Sequence, residues 1–586
     1  MKEKLAYNPA EKPLNGSAVL PDTWDAVDGL GRILPGHEET GDLRENRYVG
    51  IFYWTWHCAH AKSTSPHNVT RILEKYPEAL TDLNHPAWGG LQAPHHWNEP
   101  VFGYYNTVDK WVLRKHAELL ADAGVDAVIF DNTNGTFTWQ ESYTALLETF
   151  AEARADGVKT PQISFLLPLF GGSRETNIQL ENIYNDIYKP GKYRDLWFYW
   201  KGKPLMMAYP DLLDGNNPLH AEIRDFFTFR PGQPSYTVGQ TRPDQWGWLS
   251  VHPQQIYRNP DGTPEQITVG VAQNHSAELG LTAMNGVNVF GRTYTSKGYD
   301  TRENAELYGA NLAEQFEYAL KVDPEFIFIT GWNEWVAGRF PHWQGVDNAF
   351  PDQFCDGFSR DIEPPTGKLK DHYYYQMTSF IRRYKGTHRR SAPASALNLR
   401  MDGPESQWDS ASDYRSYPGN TKNRDADGYL TTHYTDTSGR NDLTGAKAAC
   451  DGENLWFRAE CAADITSPDD PMWMRLLIRT ESDDPHWEGF QYILNRNEAG
   501  MLEKSAGGWS WEEVGRVCWK REGRFLTVRI PKTMLNLTGD AFTVRFKWAD
   551  NNLGIDGDIM ELYGHGDTAP GGRFLYRFEF DGKKTE

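Results

Sequence analysis

The chain has 586 residues, of which 39% are apolar, and its formal net charge at pH 7 is −20. This length predicts two or three domains, because one hydrophobic core rarely organises more than roughly 300 residues. No run of about eighteen apolar residues occurs, which argues against a membrane span, and the acidic balance argues against nucleic acid, which binds through clustered Lys and Arg.

The first 45 residues are rich in Pro, Gly and charge, and they predict a strap over a domain surface. The N-terminal sequence MKEKLAYNPAEKPLNG contains no apolar stretch of about seven residues, so it does not read as a secretory signal. We therefore expect a periplasmic or secreted protein if a signal peptide was removed, and a cytoplasmic one otherwise.

Short apolar runs then alternate with longer helical patterns, as in βα units around a parallel sheet. The eight runs are YVGIFYW (48–54), DAVIFD (126–131), QISFLLP (162–168), PLMMAYP (204–210), FFTFRP (226–231), GWLSVHP (247–253), ITVGVAQ (267–273) and FIFITGW (326–332). Eight strands predict an α/β fold, a (β/α)8 TIM-type barrel over residues 46–386.

Two of the intervening segments predict helices with particular clarity, DKWVLRKHAELLADAG (109–124) and AELYGANLAEQFEYALK (305–321), and the second repeats the apolar periodicity with Leu312, Phe316, Ala319 and Leu320. Asp109 should cap a helix that presents Leu113, Ala117 and Leu120 on one face and ends at Gly124. A helix over 371–385 should close the ring after the eighth strand.

The periodicity changes beyond the barrel. Residues 387–427 are dense in Pro, Ser, Gly, Asn and Asp and predict a linker. The runs 525–531 and 542–548 alternate apolar and polar residues, which predicts an antiparallel β-sandwich over 428–586.

The composition also indicates a ligand class. The chain has 22 Trp, and an indole combines a flat apolar face with one N–H donor, which suits the mixed surface of a sugar. The alternative reading is that these residues build large cores and interfaces. The five cysteines are odd in number and lack a CxxC pair, so neither a disulfide scaffold nor a zinc cluster is expected.

In barrels of this type the active site lies at the carboxyl ends of the strands, so the side chains that follow each run are candidates. A convergence of amides, imidazoles, carboxylates and aromatic rings is what a hydroxyl-rich ligand requires. The predicted substrate-binding residues are Trp54, His57, Tyr105, Asn132, Asn134, Asp211, Arg230, His252, Gln273, Asn274, His275, Arg292, Trp332, Asn333 and Trp335.

Cleavage of a glycosidic bond usually needs two carboxyl groups. Glu334 is the first candidate, because the flanking Trp332 and Trp335 offer an environment of low polarity that would raise its pKa. Asp131 and Glu99 are the candidates for its partner. Glu99 has an alternative reading as a loop-anchoring acceptor, and Asp347 and Asp352 read as surface residues of the loop after strand eight.

Other chemistries have little support in the sequence. The histidines His57, His252 and His275 come from different strands without HxH or HExxH pairing, so we expect hydrogen bonds to sugar rather than a metal site. The GxSxG, GxxxxGK[ST] and GxGxxG motifs are lacking, which leaves acyl transfer, nucleotide hydrolysis and dinucleotide binding without a motif. No cofactor is expected.

The motif ITGWNEWVAG resembles the N-E-W segment of the endo-α-mannosidase-like glycoside hydrolases of family 99 and the related WbsX-type glycan-processing proteins. The segments SRDIEPP and DHYYYQMTSFIRRYKG are similar to the closing part of that group. The resemblance covers residues 45–386 and implies a glycosidase acting on an α-linked oligosaccharide or polysaccharide.

One departure from that family affects the mechanism. The family's motif carries two glutamates three residues apart; the first matches Glu334, whereas Ala337 stands at the second position. The family's retaining mechanism, with participation of the substrate's 2-hydroxyl, is therefore in question, and Asp131 or Glu99 must supply the second carboxylate.

The C-terminal part resembles the β-sandwich of family 9 carbohydrate-binding modules in THYTDTSGRND, ENLWFRAE, DPHWEGFQYILN and FTVRFKWADN. This resemblance implies that Trp473, Trp487 and Trp548 stack on a glycan, although Trp548 also alternates in phase with core residues. Two alternatives to a hydrolase stay open: a glycan-binding protein on a degenerate barrel, and a polysaccharide lyase.

Overall fold

The computed structural model describes residues 18–57, 65–169, 173–554 and 556–582. The chain has a mixed α/β architecture. Parallel strands dominate the first part, which we call the parallel region (residues 46–386), and antiparallel strands dominate the antiparallel region (residues 387–582). Across the ranges just given, no helix is both long and apolar enough to cross a membrane.

The parallel region is organised around one six-stranded sheet. Its strands are, in spatial order, Ile256–Arg258, Pro264–Gly270, Phe326–Thr330, Tyr48–Tyr53, Ala127–Asp131 and Gln162–Leu166. The last five run parallel, and their side chains are almost all buried, as expected for strands covered on both faces.

Shorter parallel strands continue from the last strand of this sheet. The Leu167 N–H donates to the Met207 carbonyl at 2.9 Å. The strand Lys203–Met206 in turn pairs in parallel with Thr228–Phe229. The next pair, Gly232–Gln233 with Trp246–Gly247, is parallel as well. The Gln266 side chain then binds both the N–H and the C=O of Gly247, at 3.1 and 2.9 Å, which connects the last short strand to Pro264–Gly270.

Each of the eight apolar runs identified in the sequence thus contains residues of a strand, except that GWLSVHP overlaps its strand only at Gly247. The run FFTFRP is also largely non-strand, because the helix Pro218–Phe226 extends into it and leaves only Thr228–Phe229 extended.

Helices separate the parallel strands and pack against them. They span Val69–Lys75, Lys110–Ala123, Gln140–Ala155, Arg174–Ile183, Pro218–Phe226, Ala310–Val322 and His372–Lys385. The helix Lys110–Ala123 has the predicted ends: Asp109 accepts hydrogen bonds from two backbone N–H groups, and Gly124 closes the helix with φ of 84°.

The antiparallel region consists mainly of two sheets. The larger contains Asp25–Ala26, Phe574–Asp581, Ala541–Asp550, Asp567–Ala569, Arg475–Arg479, Tyr492–Leu494, Met501–Gly507 and Ser510–Arg516. The smaller contains Ser412–Arg415, Leu443–Cys450, Asn454–Cys461, Phe525–Pro531 and Cys518–Glu522. Apolar rings meet between the sheets, as Phe457 and Phe546 do at 5.0 Å.

Several contacts tie the two regions together. The N-terminal strand Asp25–Ala26 pairs with Phe574 and Leu575 of the larger sheet. A hairpin of strands Arg424–Asp427 and His433–Asp436, which falls partly within the segment predicted as a linker, lies against the parallel region. We call residues 424–436 the docking hairpin.

Candidate active site

Glu334 follows the strand Phe326–Thr330 at its carboxyl end, in the loop Trp332–Trp335. Its side chain is buried, with 6% of its surface exposed. The backbone N–H of Glu334 donates to Asp361 Oδ1 at 2.8 Å, which fixes the position of the residue. The carboxylate therefore sits at the end of the sheet where sites of this architecture form.

Arg360 is the direct partner of Glu334. Its Nη2 donates to Glu334 Oε2 at 3.0 Å, and Gln353 Nε2 reaches the same oxygen at 3.2 Å. Arg360 also contacts Asp352 Oδ1 at 3.4 Å and Asn274 Oδ1 at 3.4 Å. The buried Arg360 guanidinium thus faces two carboxylates. That of Glu334 is buried, and that of Asp352 belongs to a side chain that is 55% exposed.

The environment of Glu334 favours its protonated form. Burial raises the pKa of Glu334 well above the usual range for a carboxyl, and the Arg360 guanidinium opposes this rise. The negative charges of Asp352, Asp361 and Asp131 raise the pKa further. Several carboxyl groups share one guanidinium, so their mutual repulsion is reduced when at least one of these carboxyl groups is protonated.

Asp131, at the end of strand Ala127–Asp131, is the second carboxyl of this group. Burial raises the pKa of Asp131 to about 6; hydrogen bonds from Thr133 lower it, the charge of Asp352 raises it, and Arg360 lowers it. Asp131 and Glu334 lie close enough for the charge of Asp131 to raise the pKa of Glu334. The structure therefore brings together these two predicted catalytic residues.

Glu99, the other predicted partner, lies elsewhere. It is half-buried, its backbone carbonyl accepts from Thr366, and burial raises its pKa while the charge of Arg71 lowers it. Its charge acts on Tyr104 and Tyr434. These contacts are those of a residue that anchors a loop.

Behind Glu334, a buried hydrogen-bond network fixes the loop. Asn333 accepts from the Trp54 backbone N–H at 2.8 Å and donates to the Tyr105 hydroxyl at 3.1 Å. His57 Nε2 donates to the Asn333 carbonyl at 2.8 Å. Tyr105 in turn donates to Glu363 at 2.7 Å, so these predicted binding residues hold the loop in place.

Glu363 is the centre of this network and was not anticipated from the sequence. Its carboxylate accepts from Tyr105, from Trp335 Nε1 at 2.6 Å and from His116 Nε2 at 2.8 Å, and it is fully buried. The opposite nitrogen of His116 bonds to the Tyr53 hydroxyl at 2.8 Å.

The two tryptophans that flank Glu334 pack into the protein. Trp335 stacks on Trp97 with ring centroids 4.5 Å apart, and Trp332 lies edge-on to His116 at 5.6 Å. Both are completely or almost completely buried. These two tryptophans support the loop from within the core. The pKa of Glu334 is raised by the burial of its carboxyl group as a whole, and these two indoles are not singled out as the cause.

Some predicted binding residues lie near Arg360. Asn274 accepts from both Arg360 and Tyr236, the latter at 2.8 Å. Arg292 donates to Ser359 Oγ and to the Asp361 carbonyl, which positions the segment that carries Arg360. Asn132 is buried directly after Asp131 and donates to the Phe137 carbonyl at 3.3 Å.

Other predicted binding residues have partners of their own. Arg230 forms an ion pair of 2.6 Å with Glu265, which lies at the amino end of its strand, whereas Glu334 follows the carboxyl end of the adjacent strand. Asp211 is exposed and pairs with Arg242 at 2.8 Å. His252 lies against Tyr318 at a ring distance of 5.3 Å.

Three further residues complete the predicted set. Gln273 donates to Asn311 at 3.0 Å and is buried. His275 is half-buried beside Phe290, and burial lowers its pKa. Asn134 is exposed, and its amide donates to Thr133 Oγ1 at 3.5 Å.

The residues that sequence reasoning missed lie in one segment, 353–363. Gln353, Arg360, Asp361 and Glu363 are all buried there, in a stretch without helical or strand periodicity. Apart from the family resemblance of SRDIEPP, the sequence signal in this segment is the density of charge in SRDIE, and a charged run is normally read as a solvated surface.

Two residues that contact Glu334 each have a buried polar atom without a hydrogen-bond partner among the described residues, namely Arg360 Nε and Asp361 Oδ2. Buried polar atoms of this kind also occur elsewhere in the described chain. Because buried polar groups are normally paired, these two atoms are able to bind a polar ligand or ordered water.

Within the described part of the chain, no group of three or more His, Cys, Asp or Glu side chains is arranged to hold a metal ion.

In the antiparallel region, Trp473, Trp487 and Trp548 are exposed by 2%, 4% and 0%. Their expected stacking on a glycan is therefore wrong for this structure, because all three indoles are enclosed by the core.

Comparison with known proteins gives distant structural similarities. No family model matches the sequence, and no curated protein matches it. A family 99 endo-α-mannosidase from Bacteroides thetaiotaomicron aligns with a TM-score of 0.34 and 14% identity, covering 57% of this chain and 97% of the other. A family 5 glycoside hydrolase from Bacteroides vulgatus aligns with a TM-score of 0.23 and 11% identity over 89% of this chain and 95% of the other. With TM-scores this low, these similarities assign neither a family nor an activity to the chain.

Proposed function

We propose that this protein is a glycoside hydrolase in which Glu334 is the general acid and Asp131 the second carboxylate. The observation that carries the proposal is the pair itself: two buried carboxyl groups that interact electrostatically beside a single arginine. They lie at the carboxyl ends of two parallel strands of one sheet, between which the strand Tyr48–Tyr53 lies. Paired carboxyl groups with raised pKa values are the machinery that acetal cleavage requires.

The two environments differ enough to assign roles. Glu334, with its pKa well above the usual range, holds the proton that the departing glycosidic oxygen must receive. Asp131, with a pKa of about 6, is largely ionised at neutral pH, so it acts as a base on water or as a nucleophile at the anomeric carbon. A separation near 5 Å between the carboxyl groups gives retention, and a wider one with room for water gives inversion.

The architecture behind this proposal is a closed (β/α)8 barrel over residues 46–386. The chain of parallel pairings around the strands and the two hydrogen bonds of Gln266 with Gly247 support the closure. We further propose that residues 428–586 form a β-sandwich joined by the segment 387–427, of which the strand Ser412–Arg415 pairs with the smaller sheet. We also propose that residues 1–45 act as a strap; residues 1–17 and 583–586 of these segments lie outside the described residues. An oligosaccharide or polysaccharide, α-linked as the motif resemblance implies, is the proposed substrate.

The test is a pair of single substitutions. We expect Glu334→Gln and Asp131→Asn each to reduce turnover by at least about a hundredfold, because positioned acid–base catalysis contributes that much. Glu99→Gln separates the two candidates for the second carboxylate: it should change turnover less than about threefold if Asp131 holds that role. Circular dichroism and thermal unfolding of each variant show whether the fold is kept.

The assay uses α- and β-linked neutral disaccharides and glycans together with uronic-acid polysaccharides, which a lyase requires, and products are followed by new reducing ends and by absorbance of unsaturated ends. New reducing ends that depend on Glu334 support the hydrolase. Unsaturated products would replace it with a lyase, and binding without any product would replace it with a glycan-binding protein. Near-normal turnover in folded Glu334→Gln excludes the assignment of this residue.

A further inference from the structure

We infer that the antiparallel region carries a second binding site, for a neutral glycan, at Trp519. Two surface cavities include this residue: one is lined by residues 468–473 and 495–499, and the other by residues 401–402 and 517–520. We call the two cavities together the Trp519 site. The inference does not depend on the proposed function, because Glu334 and Asp131 are not part of this site.

The two cavities are large enough for small ligands. The first, which lies between residues 468–473 and residues 495–499, has a volume of about 510 Å³, and the second has a volume of about 470 Å³. Small-molecule sites in proteins have volumes of roughly 300–1,000 Å³. Trp519 lines both cavities and its side chain is partly exposed, so its indole borders two concave surfaces that are open to a ligand.

A buried indole supports Trp519 from one side. Trp519 lies on Cys518–Glu522, the edge strand of the smaller sheet. Its ring centroid is 5.6 Å from that of Trp473, with an angle of 62° between the rings. Trp473 is 2% exposed, and its Nε1 donates to the Thr466 carbonyl at 3.1 Å. The partly exposed indole thus rests on one whose orientation is fixed.

A glycine leaves room for the edge of the Trp519 indole. A Cβ placed on Gly500 would lie 2.6 Å from both Cδ1 and Nε1 of Trp519. The Gly500 N–H donates to Asn495 Oδ1 at 2.8 Å, and its carbonyl accepts from the Val517 N–H at 2.9 Å. Because the turn beside the indole is held on both sides, the site is formed before a ligand arrives, and binding costs little additional ordering.

Polar side chains line the first cavity next to the indole. Nη2 and Nε of Arg496 donate to Glu503 at 2.6 and 3.0 Å, and the Glu503 side chain is only 4% exposed. These bonds fix the guanidinium, while its Nη1 has no hydrogen-bond partner among the described residues and is able to donate to a ligand. The side chains of Asp470 and Asn497 line the same cavity and add accepting and donating groups that are partly or fully exposed.

The charges around the Trp519 site argue against an anionic ligand. Carboxylates outnumber cations in the lining of the two cavities, which contains Asp402, Asp469, Asp470 and Glu498 against Arg496 and Lys520. A polyanion such as nucleic acid or a sulfated glycan needs the opposite balance. The mixture of charged and amide groups also argues against a purely apolar ligand.

A neutral glycan fits the remaining chemistry. One face of a pyranose ring is apolar and stacks on an indole, while its hydroxyl groups exchange hydrogen bonds with amides, carboxylates and guanidinium groups. Because Trp519 borders two cavities, successive sugar units along a chain are able to occupy both. The expected ligand is therefore an oligosaccharide or a polysaccharide rather than a single sugar.

The experiment measures polysaccharide binding by native gel electrophoresis of the full-length protein, with Glu334→Gln introduced to prevent consumption of the ligand. The gels contain α-mannan, galactomannan, glycogen or hydroxyethylcellulose, and at least one of them should retard the protein. Adding Trp519→Ala should raise the apparent Kd for that polysaccharide by about tenfold or more, because a central tryptophan often carries much of the affinity of a site. Asn497→Ala, which changes an exposed side chain, should raise it by about threefold through the loss of one hydrogen bond.

Two further variants make the result specific. Trp519→Phe keeps an aromatic face and should lose less affinity than Trp519→Ala. Trp511→Ala is the matched control, because Trp511 is also partly exposed on an edge strand, Ser510–Arg516, and lines neither cavity. Circular dichroism shows which variants are folded, and if Trp519→Ala is not, Trp519→Phe and Asn497→Ala decide the question.

Retardation that depends on Trp519 and Asn497 but not on Trp511 supports the site. The inference is overturned if none of the four polysaccharides retards the protein, if folded Trp519→Ala and Asn497→Ala bind as the parent does, or if Trp511→Ala weakens binding to the same extent. Binding is measured without turnover, so a wild-type protein that cleaves no glycan would refute the proposed function alone.

Discussion

At the scale of single residues, the candidate site shows how one arginine can serve several carboxyl groups with different roles. Arg360 is buried and lies within 3.4 Å of both Glu334 and Asp352. It lowers the pKa of Glu334 and of Asp131, while Asp352 raises both. Under the proposed function, the pH dependence of activity follows from the burial of Glu334 and Asp131 together with the charges of Arg360 and Asp352.

Asp352 allows this to be tested with a small change. Because its negative charge raises the pKa of Asp131 and of Glu334, Asp352→Asn should lower both pKa values. Activity requires ionised Asp131 and protonated Glu334, so the acidic and alkaline limbs of the kcat/KM profile should both move to lower pH. The acidic limb of the wild type is expected near the pKa of about 6 for Asp131.

The control for this prediction is Asp347→Asn. Asp347 lies in the short strand Val346–Ala349 that precedes Asp352, has 93% of its side chain exposed and pairs with His342. Its removal should leave both limbs in place. A profile of Asp352→Asn that moves to higher pH, or that matches the profile of Asp347→Asn, contradicts the proposed coupling.

At the scale of elements, the strands and helices of the parallel region were largely predictable, because burial on both faces leaves a nearly continuous apolar run. The same reasoning predicted the cap at Asp109 and the end at Gly124. The positions of side chains between elements were not predictable. Glu99 and Asp131 were both candidates for the second carboxylate, and the loop 95–109 places Glu99 near Arg71.

The segment 353–363 illustrates the same limit for the site. Arg360 and Glu363 are buried by the packing of irregular loops, and no local periodicity reports such packing. Trp473 and Trp487 show the opposite error, because the resemblance implied a binding surface and both indoles are buried in the core. Trp548 is buried as well, in agreement with its alternation in phase with core residues. Sequence patterns report the burial of regular elements, whereas a site on loops depends on contacts between distant parts of the chain.

Asp109 has two roles at the level of an element, and they can be separated. It caps the helix Lys110–Ala123 and also neutralises the buried Arg424 of the docking hairpin. Asp109→Ala removes both and should cost about 4–6 kcal/mol of unfolding free energy. Asp109→Asn keeps a capping acceptor, so it should be less destabilising by about 1 kcal/mol.

Urea unfolding of these variants is compared with that of Asn217→Ala. Asn217 is a neutral cap, accepting from the Leu219 N–H at 3.0 Å, and its loss should cost about 1 kcal/mol. If Asp109→Ala costs no more than Asn217→Ala, the ion pair with Arg424 contributes nothing and the docking of the hairpin must rest on its backbone hydrogen bonds.

At the scale of the whole molecule, the two regions are joined by buried polar contacts as well as by apolar surface. Arg573 Nε donates to Asp371 Oδ2 at 2.6 Å, with side chains 2% and 0% exposed, and Tyr563 donates to the same oxygen at 2.7 Å. Asp371 immediately precedes the helix His372–Lys385 of the parallel region, and Arg573 lies next to the strand Phe574–Asp581. A rigid junction of this kind also helps to keep the docking hairpin in its position against the parallel region.

We expect the wild-type protein to unfold in one calorimetric transition, and Arg573→Leu to divide it into two. The substitution leaves Asp371 buried without its cation, which costs about 3–5 kcal/mol at the junction. For a chain of this length the unfolding entropy is roughly 1.2 kcal/mol per kelvin. Because the shift in midpoint equals the loss of free energy divided by this entropy, the midpoint of a single transition falls by only about 3 °C. Separation of the peaks is therefore the informative result.

Arg524→Ala, which removes an exposed pair with Glu460, is the control and should leave one peak at nearly the wild-type temperature. A single, slightly shifted peak for Arg573→Leu would mean that apolar packing alone keeps the regions cooperative.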